Sequence, residues 1–196
     1  MPASRSNPTV LVVTPEVTYL PEGMGNMSNH LTAKAGGLAD VSAALISALF
    51  DQGVDVHVAL PDYREIFAAH TAPVLKSEFR RIRDKMPDER IHLAEDRAFF
   101  YTTTVYSHYG SDNIKIALAF QREIINNIMP RVKPDLIHCN DWMTGLIPAA
   151  AREMGIPCLF TIHNIHTCLL YTSPSPRDSY ADLVCRLLLE KRGGGG

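Results

Sequence analysis

The sequence has few of the residues and patterns that mark several common protein classes. Only four of its 196 residues are cysteines, and no two of them form a CxxC pair. Their spacing fits neither a zinc knuckle nor a disulfide framework. Sparse cysteines in a chain of this size are typical of a reduced protein, so we expect a cytoplasmic location.

A hydrophobic leader and long apolar runs are also missing. The first seven residues are polar, which predicts no signal peptide, and the apolar runs are too short to cross a bilayer. The formal net charge is -2, with acids and bases mixed along the chain. A dedicated nucleic-acid binder usually carries a basic stripe. We therefore expect neither a membrane nor a nucleic acid as a partner.

Several motifs that carry known chemistry do not occur. The histidines show no HExxH or similar spacing, so we expect no metal site. No Gly-x-Ser-x-Gly elbow or Cys/His pair indicates hydrolase chemistry. The Walker A and GxGxxG patterns are absent, which counts against a P-loop enzyme and against a nucleotide-binding oxidoreductase domain.

Apolar residues make up 46% of the chain, which is enough for a packed core. Residues 9–13 form a continuous apolar run that predicts a buried parallel strand. The next helix has one apolar stripe, formed by Leu38, Val41, Leu45 and Leu49. Gly53 is predicted to end that helix, and residues 54–60 alternate as a second strand. This β-α-β order is the unit of a parallel sheet.

The remaining pattern continues the alternation of strands and helices. We predict an antiparallel hairpin from residues 91–93 and 99–106, helices at 113–129 and 144–154, and strands at 136–139 and 158–162. The fold class is therefore α/β, with a Rossmann-like, doubly wound and mostly parallel sheet. The domain is predicted over residues 8–167. Residues 168–196 are rich in Pro and Ser and end in glycines, which predicts a non-native or disordered tail.

Polar clusters follow three of the predicted strands, at residues 34–40, 140–142 and 163–164. Because the carboxyl ends of parallel strands line the ligand crevice of such a sheet, we expect the three clusters to lie together. In the first cluster, Gly36 and Gly37 open a helix whose free N–H groups favour a phosphate, and Lys34 adds a positive charge. The alternative is an ordinary glycine-rich helix start with a solvated lysine.

The other candidate side chains each have a functional and a structural interpretation. Asp141 either binds sugar hydroxyls or caps the following helix. Trp142 either stacks on a sugar ring or packs in the core, and His163 either binds a hydroxyl or is structural. Asp40 lies in the first turn of its helix, where an acid complements the helix dipole. Glu16, beside the first strand, is a further candidate.

Together these motifs resemble the start of the glycogen and starch synthases. The resemblance covers residues 8 to 167 and is carried by TPE at 14–16, KAGGLADV at 34–41, GVDVHVALPDYREIF at 53–67, YGSDN at 109–113, KPDLIHCNDWMTGLIPA at 133–149 and FTIHNIHT at 160–167. The family writes the second motif Lys-x-Gly-Gly-Leu-Ala-Asp-Val and the fifth Pro-Asp-x-x-His-x-x-Asp-Trp. All of them occur here in the family's order.

This resemblance implies the GT-B arrangement of two Rossmann-like domains, without a cofactor or a metal. It implies retaining transfer of glucose from a nucleotide sugar, usually ADP-glucose, to the non-reducing end of an α-1,4-glucan such as glycogen. By position, Lys34, Gly36 and Gly37 would meet the donor, while Asp141 and His163 would lie beside the reacting sugars. The remaining candidates are Glu16, Asp40, Asn164, Trp142 and Tyr109.

The sequence also departs from the family pattern. The loop between Glu16 and Lys34 is longer than in the commonest bacterial members, and residues 165–167 differ from the usual Leu-Ala-Tyr-Gln-Gly. The second domain is missing, so we expect the chain alone to be inactive. The alternatives are another GT-B transferase of the sucrose or trehalose-phosphate synthase type, or a non-catalytic nucleotide- or glucan-binding Rossmann domain.

Overall fold

The computed structural model describes residues 7–25, 28–69, 89–107 and 110–163. The predicted tail at 168–196 and the candidates Tyr109 and Asn164 lie outside these residues. Over the described part of the chain, no helix has the length and apolar content needed to pass through a bilayer.

The described residues contain a five-stranded parallel sheet in the order β3-β2-β1-β4-β5. Every pair of neighbouring strands runs parallel. The strands are β1 Thr9–Val13, β2 Asp55–Pro61, β3 Ile91–Ala94, β4 Leu136–Asn140 and β5 Cys158–Thr161. The predicted α/β fold with a parallel sheet is therefore confirmed.

Helices connect these strands. They are α1 Gly37–Asp51, α2 Arg64–Ala69, α3 Arg97–Phe100, α4 Gly110–Glu123, α5 Met129–Val132 and α6 Ile147–Glu153. A π-helical turn at Ile124–Ile128 joins α4 to α5, and short 3-10 turns lie at Ser28–His30 and Trp142–Thr144. Because crossovers between parallel strands are right-handed, a chain that winds outward from β1 in both directions places helices on both faces of the sheet.

The central strand β1 fixes the place of a ligand crevice. All five of its residues are buried, and it pairs with β2 on one side and β4 on the other. Chain order reverses between β1 and β4, and a crevice opens at the carboxyl ends of strands where this happens. The segments that follow β1, β4 and β5 therefore meet at one edge.

The predicted hairpin in the middle of the chain is wrong. Residues 91–94 form β3, which pairs in parallel with β2, and residues 97–100 form the short helix α3. Asp96 begins that helix, because its carboxylate accepts a hydrogen bond from the Ala98 N–H at 2.8 Å. A capped helix start outweighed the aromatic content of the segment, which had favoured a strand.

Helix α1 is where the sequence predicts it, but it buries a different face. The buried residues are Leu38, Ala39, Ser42, Ala43 and Ile46, whereas Val41 is 52% exposed. The stripe through Val41 was therefore wrong, because small residues pack closest to the sheet. The predicted end at Gly53 is confirmed: its φ of 76° lies in the left-handed region, and its N–H donates to the Phe50 carbonyl.

Candidate functional site

A cavity of about 420 Å³ opens at the carboxyl ends of β1, β4 and β5. Its lining combines the start of α1 with polar and aromatic side chains from distant segments: Glu16, Ala35, Gly36, Gly37, Leu38, Tyr106, Asn113, Asp141, Trp142 and His163. Six of the predicted site residues lie here together: Glu16, Gly36, Gly37, Asp141, Trp142 and His163. The expectation that the polar clusters share one sheet edge is confirmed.

Glu16 organises the floor of this cavity. Its side chain is 1% exposed and accepts hydrogen bonds from the backbone N–H groups of Ala35 at 2.7 Å and Gly36 at 2.9 Å. Its second oxygen accepts a hydrogen bond from the Tyr106 hydroxyl at 2.8 Å. One buried carboxylate therefore holds the segment before α1 in place from the end of β1.

The start of α1 still presents backbone donors to the cavity. Gly36 precedes the helix without any side-chain cap, and, over the described residues, the N–H groups of Gly37 and Leu38 meet no acceptor. The first N–H groups of a helix have no partner inside the helix, and the dipole there is positive. This geometry suits an anionic group.

The backbone and packing at Gly36 and Gly37 do not require glycine. Gly36 has extended backbone angles that any residue adopts, and a Cβ atom added at Gly36 or Gly37 would meet nothing within 4 Å. The fold therefore tolerates side chains at both positions. What the glycines provide is open space, which lets a ligand approach the backbone closely.

Lys34 lies beside the cavity but is not part of its lining. Its ammonium group pairs with Asp40 at 2.8 Å, on the exposed side of α1. The Thr18 hydroxyl also donates to Asp40, at 2.6 Å. These two hydrogen bonds lower the pKa of Asp40, with Lys34 as the larger cause. An exposed ion pair contributes little to stability, so Lys34 is free to exchange this partner for another anion.

Asp141 has an unusual backbone at the end of β4. Its angles, φ 63° and ψ 178°, lie in a region that is occupied almost entirely by glycine. Its N–H donates to the Thr161 carbonyl of β5, and its own carbonyl accepts from the Thr144 hydroxyl. The carboxylate does not cap the turn that follows. Of the two interpretations, the structure thus disfavours capping, and the strained backbone places Asp141 in the cavity lining.

His163 reaches the cavity from the end of β5. Its Nε2 lies 3.1 Å from Oδ1 of Asn140, a buried residue at the end of β4. His138 lies nearby on β4, with its Nε2 at 2.7 Å from the Thr161 hydroxyl. Burial, with a smaller contribution from His163, lowers the pKa of His138.

Trp142 belongs to the core and to the cavity wall at once. It is buried within the main hydrophobic cluster, and its ring lies 6.4 Å from the ring of Tyr106. Burial, followed by the charge of Glu16, raises the pKa of Tyr106, which keeps its hydroxyl a hydrogen-bond donor. Trp142 therefore packs in the core, as one of the two interpretations predicts, and it also lines the cavity.

Three residues of the site were not named individually as candidates in the sequence analysis: Tyr106, Asn113 and Asn140. Asn113 and Asn140 do lie within the YGSDN motif and the polar cluster at residues 140–142. Tyr106 fell in the segment assigned to a strand, and only its hydrogen bond to Glu16 shows its role. Asn113 forms two hydrogen bonds with the backbone of Ser107, at 2.7 and 2.9 Å. Its place in the YGSDN motif was the available signal. Asn140 adjoins Asp141, but its contact with His163 joins two strands and could not be read from spacing.

A metal centre has no support among the residues that the structure describes. No group of three or more His, Cys, Asp or Glu side chains there is arranged to hold an ion. Cys139 and Cys158 are both free thiols, and their sulfur atoms lie 3.7 Å apart on β4 and β5.

The sequence of this chain is similar to those of known proteins. The profile of the starch synthase catalytic domain matches residues 9–184. The glycogen synthase of Moorella thermoacetica is 32% identical over 189 residues, which cover 86% of this chain and 35% of that protein. The glycogen synthase of Geobacillus thermodenitrificans is 30% identical over 179 residues, covering 78% of this chain and 34% of that protein. The chain thus spans about a third of the length of the curated relatives it matches.

Comparison with solved structures shows the same fold. The catalytic domain of starch synthase IV from Arabidopsis thaliana, bound to ADP and acarbose, superposes with a TM-score of 0.52 and 20% sequence identity. The match covers 81% of this chain and 34% of that structure.

Proposed function

The chain belongs to the starch synthase catalytic domain family, as the sequence resemblance predicted, and from this we propose that it is the N-terminal part of a glycogen or starch synthase. The reaction is transfer of glucose from ADP-glucose, or UDP-glucose, to the non-reducing end of an α-1,4-glucan with retention. The observation that carries this proposal is one cavity in which an uncapped helix start faces Asp141 and His163.

The donor's pyrophosphate would lie against the start of α1. The N–H groups of Gly37 and Leu38 and the positive end of the helix dipole favour a phosphate there. The open space at Gly36 and Gly37 supports close approach by the ligand. Lys34 would leave Asp40 to pair with a phosphate, because its present ion pair is exposed and weak.

The sugars would lie toward the strand ends. Asp141 offers a carboxylate that accepts hydrogen bonds from hydroxyl groups, and His163 and Asn113 add polar groups to the same wall. A flexible polyol is bound best by several such fixed groups, since each hydroxyl needs a partner once it leaves water. The reaction would depend on electrostatic stabilisation of the leaving phosphate, without a cofactor or a metal.

The curated relatives are longer than this chain. The matching part of this chain covers about a third of each relative, so we propose that a second domain closes the cavity and supplies the remaining donor contacts. The 196-residue chain alone should then bind nucleotide sugar weakly and transfer no glucose. Synthesis of glucan from ADP-glucose by the purified chain would contradict this.

Binding by the chain tests the proposal directly. Backbone amide signals of the 196-residue chain would be followed by NMR during separate additions of ADP-glucose, maltotetraose and NADH. We expect ADP-glucose to shift the signals of Gly37 and Leu38 and maltotetraose to shift those of Asp141 and His163, with no effect of NADH. Saturable shifts by NADH, or by maltotetraose alone, would favour a dinucleotide-binding or a purely glucan-binding domain instead.

A pair of glycine variants separates ligand contact from fold. Gly37→Ala places a methyl group at the start of α1, in the lining of the cavity. Gly110→Ala places a methyl group at the start of α4, which is not part of that lining. At neither position would the added Cβ atom meet another atom within 4 Å. Both variants should keep their stability within about 1 kcal/mol. Only Gly37→Ala should weaken ADP-glucose binding, by about tenfold. Equal affinity in both variants would remove the helix start from the proposed site.

A further inference from the structure

Asn140 lies between two parts of the cavity wall that are far apart in the sequence. It is buried at the end of β4, where its side-chain amide contacts the Val13 carbonyl of β1 on one side and His163 on the other. We infer that Asn140 is a positioning residue that holds His163 in the tautomer with its proton on Nε2.

The orientation of the Asn140 amide follows from Val13. A backbone carbonyl oxygen can only accept a hydrogen bond, so the group of Asn140 that faces it must be the NH2 group. Nδ2 lies 3.3 Å from that oxygen. The opposite orientation would set two oxygens against each other in a buried place, at a cost of the order of 1–3 kcal/mol for the unsatisfied carbonyl.

The tautomer of His163 follows from that orientation. With the NH2 group turned to β1, Asn140 presents Oδ1 to His163, and this oxygen can only accept. His163 Nε2, 3.1 Å away, must therefore carry the proton and donate it. In the neutral ring the other nitrogen, Nδ1, then has a free lone pair. The backbone of the central strand thus sets the proton position of a cavity side chain two strands away.

Within the described residues, two ionisable groups near His163 have hydrogen-bond partners of their own. His138, on the neighbouring strand, uses its Nε2 to contact the Thr161 hydroxyl at 2.7 Å. Glu16 uses both oxygens for Ala35, Gly36 and Tyr106. In the part of the chain that the structure describes, the hydrogen-bond contact of His163 Nε2 is with Oδ1 of Asn140.

This assignment defines what His163 offers to a ligand, a step that rests on the proposed function. With Nε2 engaged, the nitrogen that remains is Nδ1, a hydrogen-bond acceptor. His163 Nδ1 would then accept a hydrogen bond from a sugar hydroxyl and would not donate one. A ligand with a hydroxyl at that point should bind more tightly than its deoxy analogue, and an ether oxygen there should not be bound.

The tautomer can be measured without any ligand. Side-chain 15N shifts of the ligand-free 196-residue chain, at mildly alkaline pH, distinguish a protonated ring nitrogen from an unprotonated one. We expect His163 to show a protonated Nε2 and an unprotonated Nδ1. Asn140→Leu removes the acceptor and should give a mixture of both tautomers, while Asn140→Asp keeps an acceptor and should retain the Nε2 proton.

Thr161→Val provides the matched control, because it removes the partner of His138 on the same sheet edge without touching the Asn140 contact. It should leave the tautomer of His163 unchanged. A residue with only a structural role would lower stability when replaced but would not move the ring proton. A wild-type chain with the proton on Nδ1 would overturn the assignment, as would an unchanged His163 in Asn140→Leu.

The outcome for the ligand is separate. If the free chain shows the expected tautomer but maltotetraose and ADP-glucose do not shift the His163 signals, the proposed function fails while the positioning role of Asn140 stands. If both sugars bind and Asn140→Leu binds as tightly as the wild type, the role of Asn140 at the ligand fails while the function stands.

Discussion

The Tyr106 hydroxyl donates a hydrogen bond to Glu16 Oε1 at 2.8 Å, and this contact joins two residues that are 90 positions apart. The other oxygen of Glu16 holds the backbone ahead of α1. A buried carboxylate that accepts several hydrogen bonds stabilises each donor more than a neutral acceptor would. The end of β1, the start of α1 and the segment after α3 are therefore fixed relative to one another by one side chain.

Replacement of Glu16 should loosen this side of the cavity. Glu16→Ala removes three hydrogen bonds to a charged group, and we expect unfolding free energy to fall by about 2–4 kcal/mol. Glu16→Gln keeps one oxygen for the two backbone N–H groups and should cost about 1 kcal/mol. Urea denaturation followed by circular dichroism measures both. Equal losses in the two variants would show that the hydrogen bonds to the helix start do not matter.

The Tyr106 contact has its own test. Tyr106→Phe removes only the hydroxyl and should lower stability by about 1–2 kcal/mol. In a double-mutant cycle with Glu16→Ala, the two losses should sum to more than the loss of the double variant, because both single changes remove the same hydrogen bond. Strictly additive values would mean that this bond contributes nothing.

The strained backbone of Asp141 should lower the stability of the fold, while its carboxylate is proposed to bind the ligand. Asp141→Gly and Asp141→Ala both lose the carboxylate, but only glycine relaxes at φ 63° and ψ 178°. We expect Asp141→Gly to be more stable than Asp141→Ala by about 1 kcal/mol, since relief of strain exceeds the entropy cost of glycine. Thermal denaturation of the two variants measures the difference. Both should lose maltotetraose binding, and a more stable Asp141→Ala would show that the backbone is not strained.

A chain of hydrogen bonds joins α5, β3 and β2, and we expect it to contribute to the pH dependence of folding. Arg131 can only donate, and its guanidinium lies 3.2 Å from His92 Nδ1. His92 Nε2 must then hold the proton and donate to His57 Nδ1 at 2.9 Å. Burial, together with His57 and Arg131, lowers the pKa of His92 to about 3. Burial also lowers the pKa of His57.

Acid should therefore destabilise the fold. In the unfolded chain, His92 takes up a proton near its ordinary pKa of about 6.5, whereas the folded chain resists protonation down to about 3. The stability contributed by neutral His92 is complete above the unfolded value and is lost as pH falls between these limits. The slope should be about 1.4 kcal/mol per pH unit for this group.

Chemical denaturation between about pH 7 and pH 5 measures this slope before most carboxylates titrate. His57 and His138 shift in the same direction and add to it. His92→Gln keeps a hydrogen-bond donor toward His57 but cannot take up a proton. It should therefore reduce the slope of unfolding free energy against pH by up to about 1.4 kcal/mol per pH unit. A slope that does not change in this variant would place the pH dependence elsewhere.

The two described thiols should differ in reactivity. Burial raises the pKa of Cys139, whereas a hydrogen bond with Cys139 lowers the pKa of the half-buried Cys158. Because the thiolate is the reactive form, iodoacetamide should modify Cys158 well before Cys139 in the folded chain. Peptide mass spectrometry after a short exposure measures both. Cys139→Ala should slow the modification of Cys158, and modification of Cys139 first would contradict the assignment.

Much of the fold could be predicted because local chemistry and the tertiary structure agree. The five residues 9–13 are buried on both faces of a parallel sheet, and such strands show an uninterrupted apolar run. Gly53 ends α1 because a left-handed residue is needed there. Where tertiary packing decided the outcome, as for the exposed Val41, the local pattern was misleading.

The sequence by itself determined the alternation of strands and helices, the family, and the residues that follow each strand, since these depend on side-chain order along the chain. Only the tertiary structure decided which of them act together. Glu16 meets Tyr106 and Asn140 meets His163 across 90 and 23 positions, because parallel strands bring the ends of distant segments to one edge. No local spacing encodes such contacts: hydrogen bonds reach only about 3 Å, and the sheet alone sets which groups come that close.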